Sequence, residues 1–237
     1  MALCLSGDAE ADALLSKDPL ALLVGMVLDQ QVPLEWAFSA PLELRRRLGG
    51  KLDVRAIAEA EPGELAAVFS ERPALHRYPA SMAERVQGLC RLIVEKYGGN
   101  PKKIWTGTKD GEELLSRLKE LPGFGDQKAK IFLALLGKQL GVTPPGWEEA
   151  SSPFGEPGSL RSVADIVDSA SLDRVRAAKQ AAKAAAKATA KAAAKAPAKA
   201  PAATSGPVVK GAAKDGAKRG AKGGAKGGVA RAAASKG

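Results

Sequence analysis

Histidine occurs once in 237 residues and cysteine twice, and these two scarcities close off several chemistries. Cys4 and Cys90 are too few for a disulfide framework, a four-Cys zinc site or a four-Cys iron–sulfur cluster, so no such cofactor is expected and a reducing compartment is. No triad or metal site can be assembled around the lone His76, whose simplest role is packing or capping. Strand signals are nearly missing as well. The longest apolar run, residues 19–28, is far too short to span a membrane, and no basic residue precedes Lys17 to suggest a leader. These absences predict a soluble, all-α, monomeric protein of the cytoplasm with no membrane partner, in a bacterium within reach of the nucleoid.

Charge is present but unevenly placed. Lys and Arg exceed Asp and Glu by 36 to 26, yet residues 175–237 hold 15 of the basic residues and only Asp215 of the acidic ones. Residues 1–174 therefore carry 21 basic and 25 acidic groups, a balance of −4. The overall field of such a body would not draw it to DNA, so a local patch or the tail must supply the attraction. The first part has ordinary apolar content and is long enough for one core. The tail, built almost entirely of Ala, Lys, Gly and Pro, cannot join that core, so the predicted division is a helical domain over 1–174 and a basic appendage over 175–237.

Helix starts recur along the body at Asp18-Pro19, Glu61-Pro62, Tyr78-Pro79 and Asp110-Gly111. Apolar spacing predicts helices over 19–31, 34–40, 42–48, 54–60, 63–70, 80–97, 111–120 and 127–140. In the longest, Met82, Val86, Leu89, Ile93 and Tyr97 form one stripe that reads as core. Prolines and glycines mark 142–158 as a long loop, after which 160–175 resumes helical spacing. Lysines then recur every fourth residue from Lys179 to Lys199 among alanines, a conditional helix favoured when phosphates neutralise it, before Gly and Pro take over.

The segment Leu121-Pro122-Gly123-Phe124-Gly125 between two helical stretches carries the most specific signal. Pro122 cannot continue a helix, the two glycines permit a very tight turn, and the next helix starts at once with its amides unpaired. Unpaired N–H groups at a helix start attract phosphate. Such a helix-hairpin-helix grips a nucleic-acid backbone, although any αα-hairpin with a glycine turn would share the pattern.

Leu28-Asp29-Gln30-Gln31-Val32 ends an amphipathic stretch about ninety residues before that hairpin, and His76-Arg77-Tyr78-Pro79 precedes the long helix. With these segments the chain, over about 18–142, resembles the helix-hairpin-helix-Gly-Pro-Asp superfamily of base excision DNA glycosylases. The resemblance implies two all-α lobes with a cleft for double-stranded DNA between them. It further implies a backbone phosphate bound by the hairpin at Gly123, Phe124 and Gly125, and a monovalent cation on the main-chain carbonyls of Leu121 and Gly123. Gln30 and Gln31 match positions of which one or both typically probe the gap left by a flipped nucleotide. A glutamine amide supplies the donor and acceptors such a gap needs.

Two departures from the superfamily pattern bear on activity. Lyase-type relatives place a nucleophilic lysine two residues past the second glycine, where this chain has Gln127. Lys128 follows, turned by about 100° around the helix, and is expected to face phosphate or solvent, which disfavours a Schiff-base step. Relatives that cleave the glycosidic bond also carry an aspartate about a dozen and a half residues further on. Thr143 to Glu149 contains none, leaving Glu148 and Glu149 as the carboxylates able to stabilise an oxocarbenium charge from a shifted loop, or else a solvated acidic pair. Trp147 beside them is a candidate for base stacking. Lys128 and Lys130 behind the hairpin, and Lys183, Lys187 and Lys191 in the tail, are candidates for phosphate contact, whereas Arg45, Arg46 and Arg47 read as a solvated helix face and Trp36 as core. The expected function is base excision repair by a monofunctional glycosylase. A binding module for damaged or distorted DNA that has lost the reaction, and a nucleoid-associated binder acting through its tail, are the alternatives.

Overall fold

The computed structural model describes residues 3–195, and side chains as far as 189. Among these residues the protein is all-α, with ten α-helices, two 3-10 turns and no strand. No helix among them is long and apolar enough to cross a membrane. Helices α1 (Ala9–Lys17), α2 (Pro19–Leu28) and α3 (Leu34–Arg47) pack on one another. Next, α4 (Val54–Glu59) and α5 (Pro62–Ser70) lie on the long α6 (Pro79–Tyr97). A 3-10 turn at Pro101–Ile104 leads to α7 (Gly111–Lys119) and α8 (Asp126–Leu140), which form the hairpin pair. The short α9 (Trp147–Ala150), a second 3-10 turn (Val163–Asp165) and α10 (Ser169–Lys195) follow.

Local chemistry explains the starts. The carboxylates of Asp8, Asp18, Asp53 and Asp110 accept from first-turn N–H groups of α1, α2, α4 and α7, satisfying donors that the helix itself leaves open. Proline opens α2, α5 and α6, where its missing N–H costs nothing. Every residue of α2 from Leu20 to Leu28 is buried, so this helix runs through the middle of the core. The buried side chains join in one core cluster. Cys4 and Cys90 are both free, and burial pushes the Cys90 thiol up to about 12.

The structure departs from the sequence pattern in five places. Helix α1, unassigned from the sequence, buries Ala11, Leu14 and Leu15 at three- and one-residue steps. The two helices predicted over 34–48 are one, because α3 runs through Pro41. Its lost bond and ring clash cost about 3 kcal/mol, which burial of Pro41, Phe38, Leu42 and Leu44 offsets. Helix α2 stops at Leu28, leaving both glutamines beyond its end. The predicted loop 142–158 contains α9, and 160–175 is helical only at the 3-10 turn and from Ser169 onward. Helix α10 then passes unbroken through the boundary predicted after Arg174, with Val175 buried and Arg176 paired to Glu35. Residues 3–195 belong to one compact unit. The Pro-Ala-Lys and Gly-Ala-Lys repeats lie outside the described residues.

Candidate nucleic-acid interface

The hairpin is seated by apolar contacts and leaves its polar face open. Leu121 is buried, and Phe124, only 5% exposed, meets Phe132 edge-on at 5.6 Å between centroids. Pro122 packs on Gly88 of α6, where an added Cβ would lie 3.7 Å from its ring, and Gly123 faces Val27 and Arg85. Phe124 is therefore a core anchor, and its amide is used internally on the Leu121 carbonyl at 3.0 Å. This corrects its predicted contact with DNA. It also occupies one lone pair of the Leu121 carbonyl that the cation expectation invoked. Gly123 has φ +84, a left-handed conformation that favours glycine. Gly125 has φ −77, and a Cβ there would meet nothing within 4 Å. Among the described residues no acceptor is found for the main-chain N–H groups of Gly123, Gly125, Asp126 and Gln127. They form the donor set that a phosphate requires at a helix start.

Gln30 and Gln31 face different tasks. The Gln30 amide nitrogen donates to the Val27 carbonyl at 2.6 Å, and its oxygen accepts from Arg85 Nη1 at 2.7 Å. The Gln30 carbonyl in turn accepts from His76 Nε2 at 2.9 Å. His76 is buried and takes the Tyr78 N–H on Nδ1 at 3.0 Å, which fixes the proton on Nε2. Gln30 thus holds the loop in place. Gln31 is exposed, with φ +58, the only non-glycine residue with positive φ among those described. Strain of this kind costs about 1–3 kcal/mol and collects at functional sites. Among the described residues the Gln31 side-chain amide has no hydrogen-bond partner.

Lys128 does not face solvent. Its Nζ reaches back over the end of α2 and donates to the carbonyls of Met26 at 2.5 Å and Val27 at 3.3 Å. The turn around the helix axis is as predicted, but what lies there is the C-terminal end of α2. Burial brings the Lys128 amine down to about 8, with Asp29 opposing and Arg85 adding to the shift. A cleft of about 450 Å³ opens here, lined by Met26, Asp29, Gly123, Gly125, Gln127 and Lys128 among others.

A family model for the HhH-GPD superfamily of base excision DNA repair proteins matches residues 24–197. The chain belongs to that superfamily. No match is found among the curated proteins.

Gln127, in the first turn of α8, is exposed. The other predicted residues are more scattered. Trp147 lies over Gly137 of α8, where a Cβ would collide with its ring, and its backbone would sit 2.6 Å from a Cβ on Gly111. It is a packing residue that fastens α9 to α7 and α8, not a free stacking platform. Gly137 is twelve residues past Gly125, roughly 18 Å along the helix. Glu148 and Glu149, exposed on α9, accordingly sit at the far end of the pair from the hairpin and do not share its cleft. Lys130 is half-buried and paired with Asp126 at 3.4 Å. Lys183 and Lys187 are exposed on α10, whereas the side chain of Lys191 lies outside the described residues.

Arg45 and Arg46 pair with Glu10, and Arg47 binds the carbonyls of Val68, Glu71 and Pro73. Trp36, expected in the core, is 39% exposed and donates from Nε1 to the Ala74 carbonyl at 3.2 Å. Trp105 is buried, edge-on to Phe132 at 5.9 Å. Sequence reasoning passed over Arg85, whose signal was its position one turn from Met82 on the face of α6 toward the hairpin, and Asp29, quoted within Leu28 to Val32 but assigned no role.

Proposed function

We propose that the protein is a monofunctional DNA glycosylase acting on double-stranded DNA in base excision repair. The observation that carries this is the set of open main-chain N–H groups at the hairpin, beside a cleft lined by Gly123, Gly125 and Gln127, with the loop that bears Gln31 tied to the neighbouring end of α2. Gly123 meets Val27, and Gln30 next to Gln31 is bonded to the same Val27 carbonyl turn and to Arg85. A base inside a duplex is out of reach, so the target nucleotide must be flipped while a neighbouring group satisfies the orphaned partner. The hairpin positions the strand, and Gln31, carrying both donor and acceptor, fills the gap. Gln127 has no nucleophilic nitrogen, which supports attack by water rather than a Schiff base. The lysine-rich tail supplies sequence-indifferent attraction that retains the protein on the nucleoid.

The test is incubation with duplexes holding uracil, alkylated purines or mismatched adenine. Base release followed by strand cleavage only after alkali is expected. Scission without alkali would overturn the monofunctional assignment. Binding that prefers damaged duplexes without base release from any of them would reduce the protein to a recognition module.

A further inference from the structure

The carboxylate of Asp29 is not accounted for by folding. It is the C-terminal cap of α2, with its own N–H bonded to the Gly25 carbonyl at 2.9 Å. Asp8, Asp18, Asp53 and Asp110, by contrast, are N-caps whose oxygens accept backbone N–H bonds. Asp29 stands at the opposite pole, where the helix dipole is negative and an anion is disfavoured. Its side chain is half-buried, and no hydrogen bond to its carboxylate is found among the described residues. It opens into the cleft shared with Gly123, Gly125 and Gln127. Lys128, crossing from α8 to the last carbonyls of α2, is the cation that makes this placement tolerable. A half-buried carboxylate with no hydrogen-bond partner among the described residues, at the wrong pole of a helix, points to a ligand that is positively charged or donates hydrogen bonds.

We propose that Asp29 is the catalytic carboxylate of the cleft and that Lys128 is its positioning residue. The proposal rests on the glycosylase reading and supplies within the cleft the carboxylate that Glu148 and Glu149, outside its lining, do not. In the step it serves, the bond from C1′ to the base nitrogen breaks and its electron pair leaves with the base. Asp29 faces the positive charge that grows on the sugar and accepts a proton from the water whose oxygen bonds to C1′. That proton passes to solvent and the departed base nitrogen takes one up, so one water is consumed and nothing is oxidised or reduced. The charged groups facing Asp29 are Lys128 from α8 and Lys179 from α10, with Arg85 of α6 acting on Lys128. Burial pushes the Asp29 carboxyl above its usual range, and Lys128 and Lys179 pull it back down.

Two measurements test this in the full chain. In base release, Asp29→Asn is expected to lose at least about a hundredfold in rate, with Asp29→Glu recovering part of it. Because the ionised carboxylate is the active form, activity falls as pH drops through its pKa. Lys128→Met removes a charge that lowers that pKa, so the acid limb moves to higher pH, which a merely structural lysine would not cause. Release by Asp29→Asn within threefold of the unaltered protein would overturn the proposal while leaving the glycosylase reading intact.

The second measurement needs no turnover. Duplexes carrying a pyrrolidine abasic analogue, with a cationic ring nitrogen, are compared with the neutral tetrahydrofuran analogue. A preference of about tenfold for the cation, lost in Asp29→Asn with tetrahydrofuran binding unchanged, is expected. No preference in the unaltered protein, or one that survives the substitution, would overturn the role of Asp29.

Discussion

Gly123 and Gly125 stand two residues apart and require glycine for different reasons. Gly123 needs it for its backbone, at φ +84, so Gly123→Ala is expected to destabilise the fold by about 1–2 kcal/mol. Gly125 has ordinary dihedrals and open space where a side chain would project. Gly125→Ala should therefore melt within about 0.5 kcal/mol of the unaltered protein while binding duplex DNA more weakly. Thermal unfolding and fluorescence anisotropy separate the two, and undiminished affinity in Gly125→Ala would show that no strand approaches this turn. At this scale the sequence located the glycines and both glutamines, because turn chemistry and an amide pair are local signals. It could not distinguish Gln30 from Gln31, which differ through Arg85 and His76, residues far along the chain. Nor could it aim Lys128, whose partners are a hundred residues away.

Among the elements, α9 has the clearest consequences. The sequence presents 142–158 as a loop able to swing a carboxylate into the cleft, but Trp147 pins it to Gly137. Trp147→Ala should cost about 3 kcal/mol in stability. Exchange of both Glu148 and Glu149 for Gln should change base release less than about twofold, and a large loss would return them to the chemistry. Helix starts were legible because Asp and Pro announce them over a few residues. The continuity of α3 through Pro41 was not, since it depends on burial of Pro41 and its neighbours against helices distant in sequence. The same holds for the end of α2, where Gln30 leaves the helix for bonds to Arg85 of α6 and to His76.

For the whole molecule, the change of composition after Arg174 was plain in the sequence, yet the chain keeps packing past it. A truncation there would remove buried Val175 and the Arg176 to Glu35 pair, whereas one after Lys195 leaves the compact unit whole. Residues 196–237 hold nine Lys and Arg against Asp215, so the shorter chain carries a net charge of +2 rather than +10. Its DNA affinity should fall less steeply with salt, each lost phosphate contact flattening the log–log slope by about 0.9. Preference for a damaged duplex should persist in a salt titration, and its loss in parallel with affinity would contradict a division between retention and recognition.

One rod sets the gauge of the cleft. Over two turns of α6, Met82 touches the Gln30 amide, Arg85 binds its oxygen and borders Gly123, and Gly88 receives Pro122. Because the glutamine loop and the hairpin are both referenced to a single 19-residue helix, their spacing does not depend on loops that could yield to a visitor. The work of fitting falls on the nucleic acid. A duplex softened by a mismatch or a damaged base deforms more cheaply than an intact one, so on the proposed reading discrimination begins as a mechanical comparison before any base is touched.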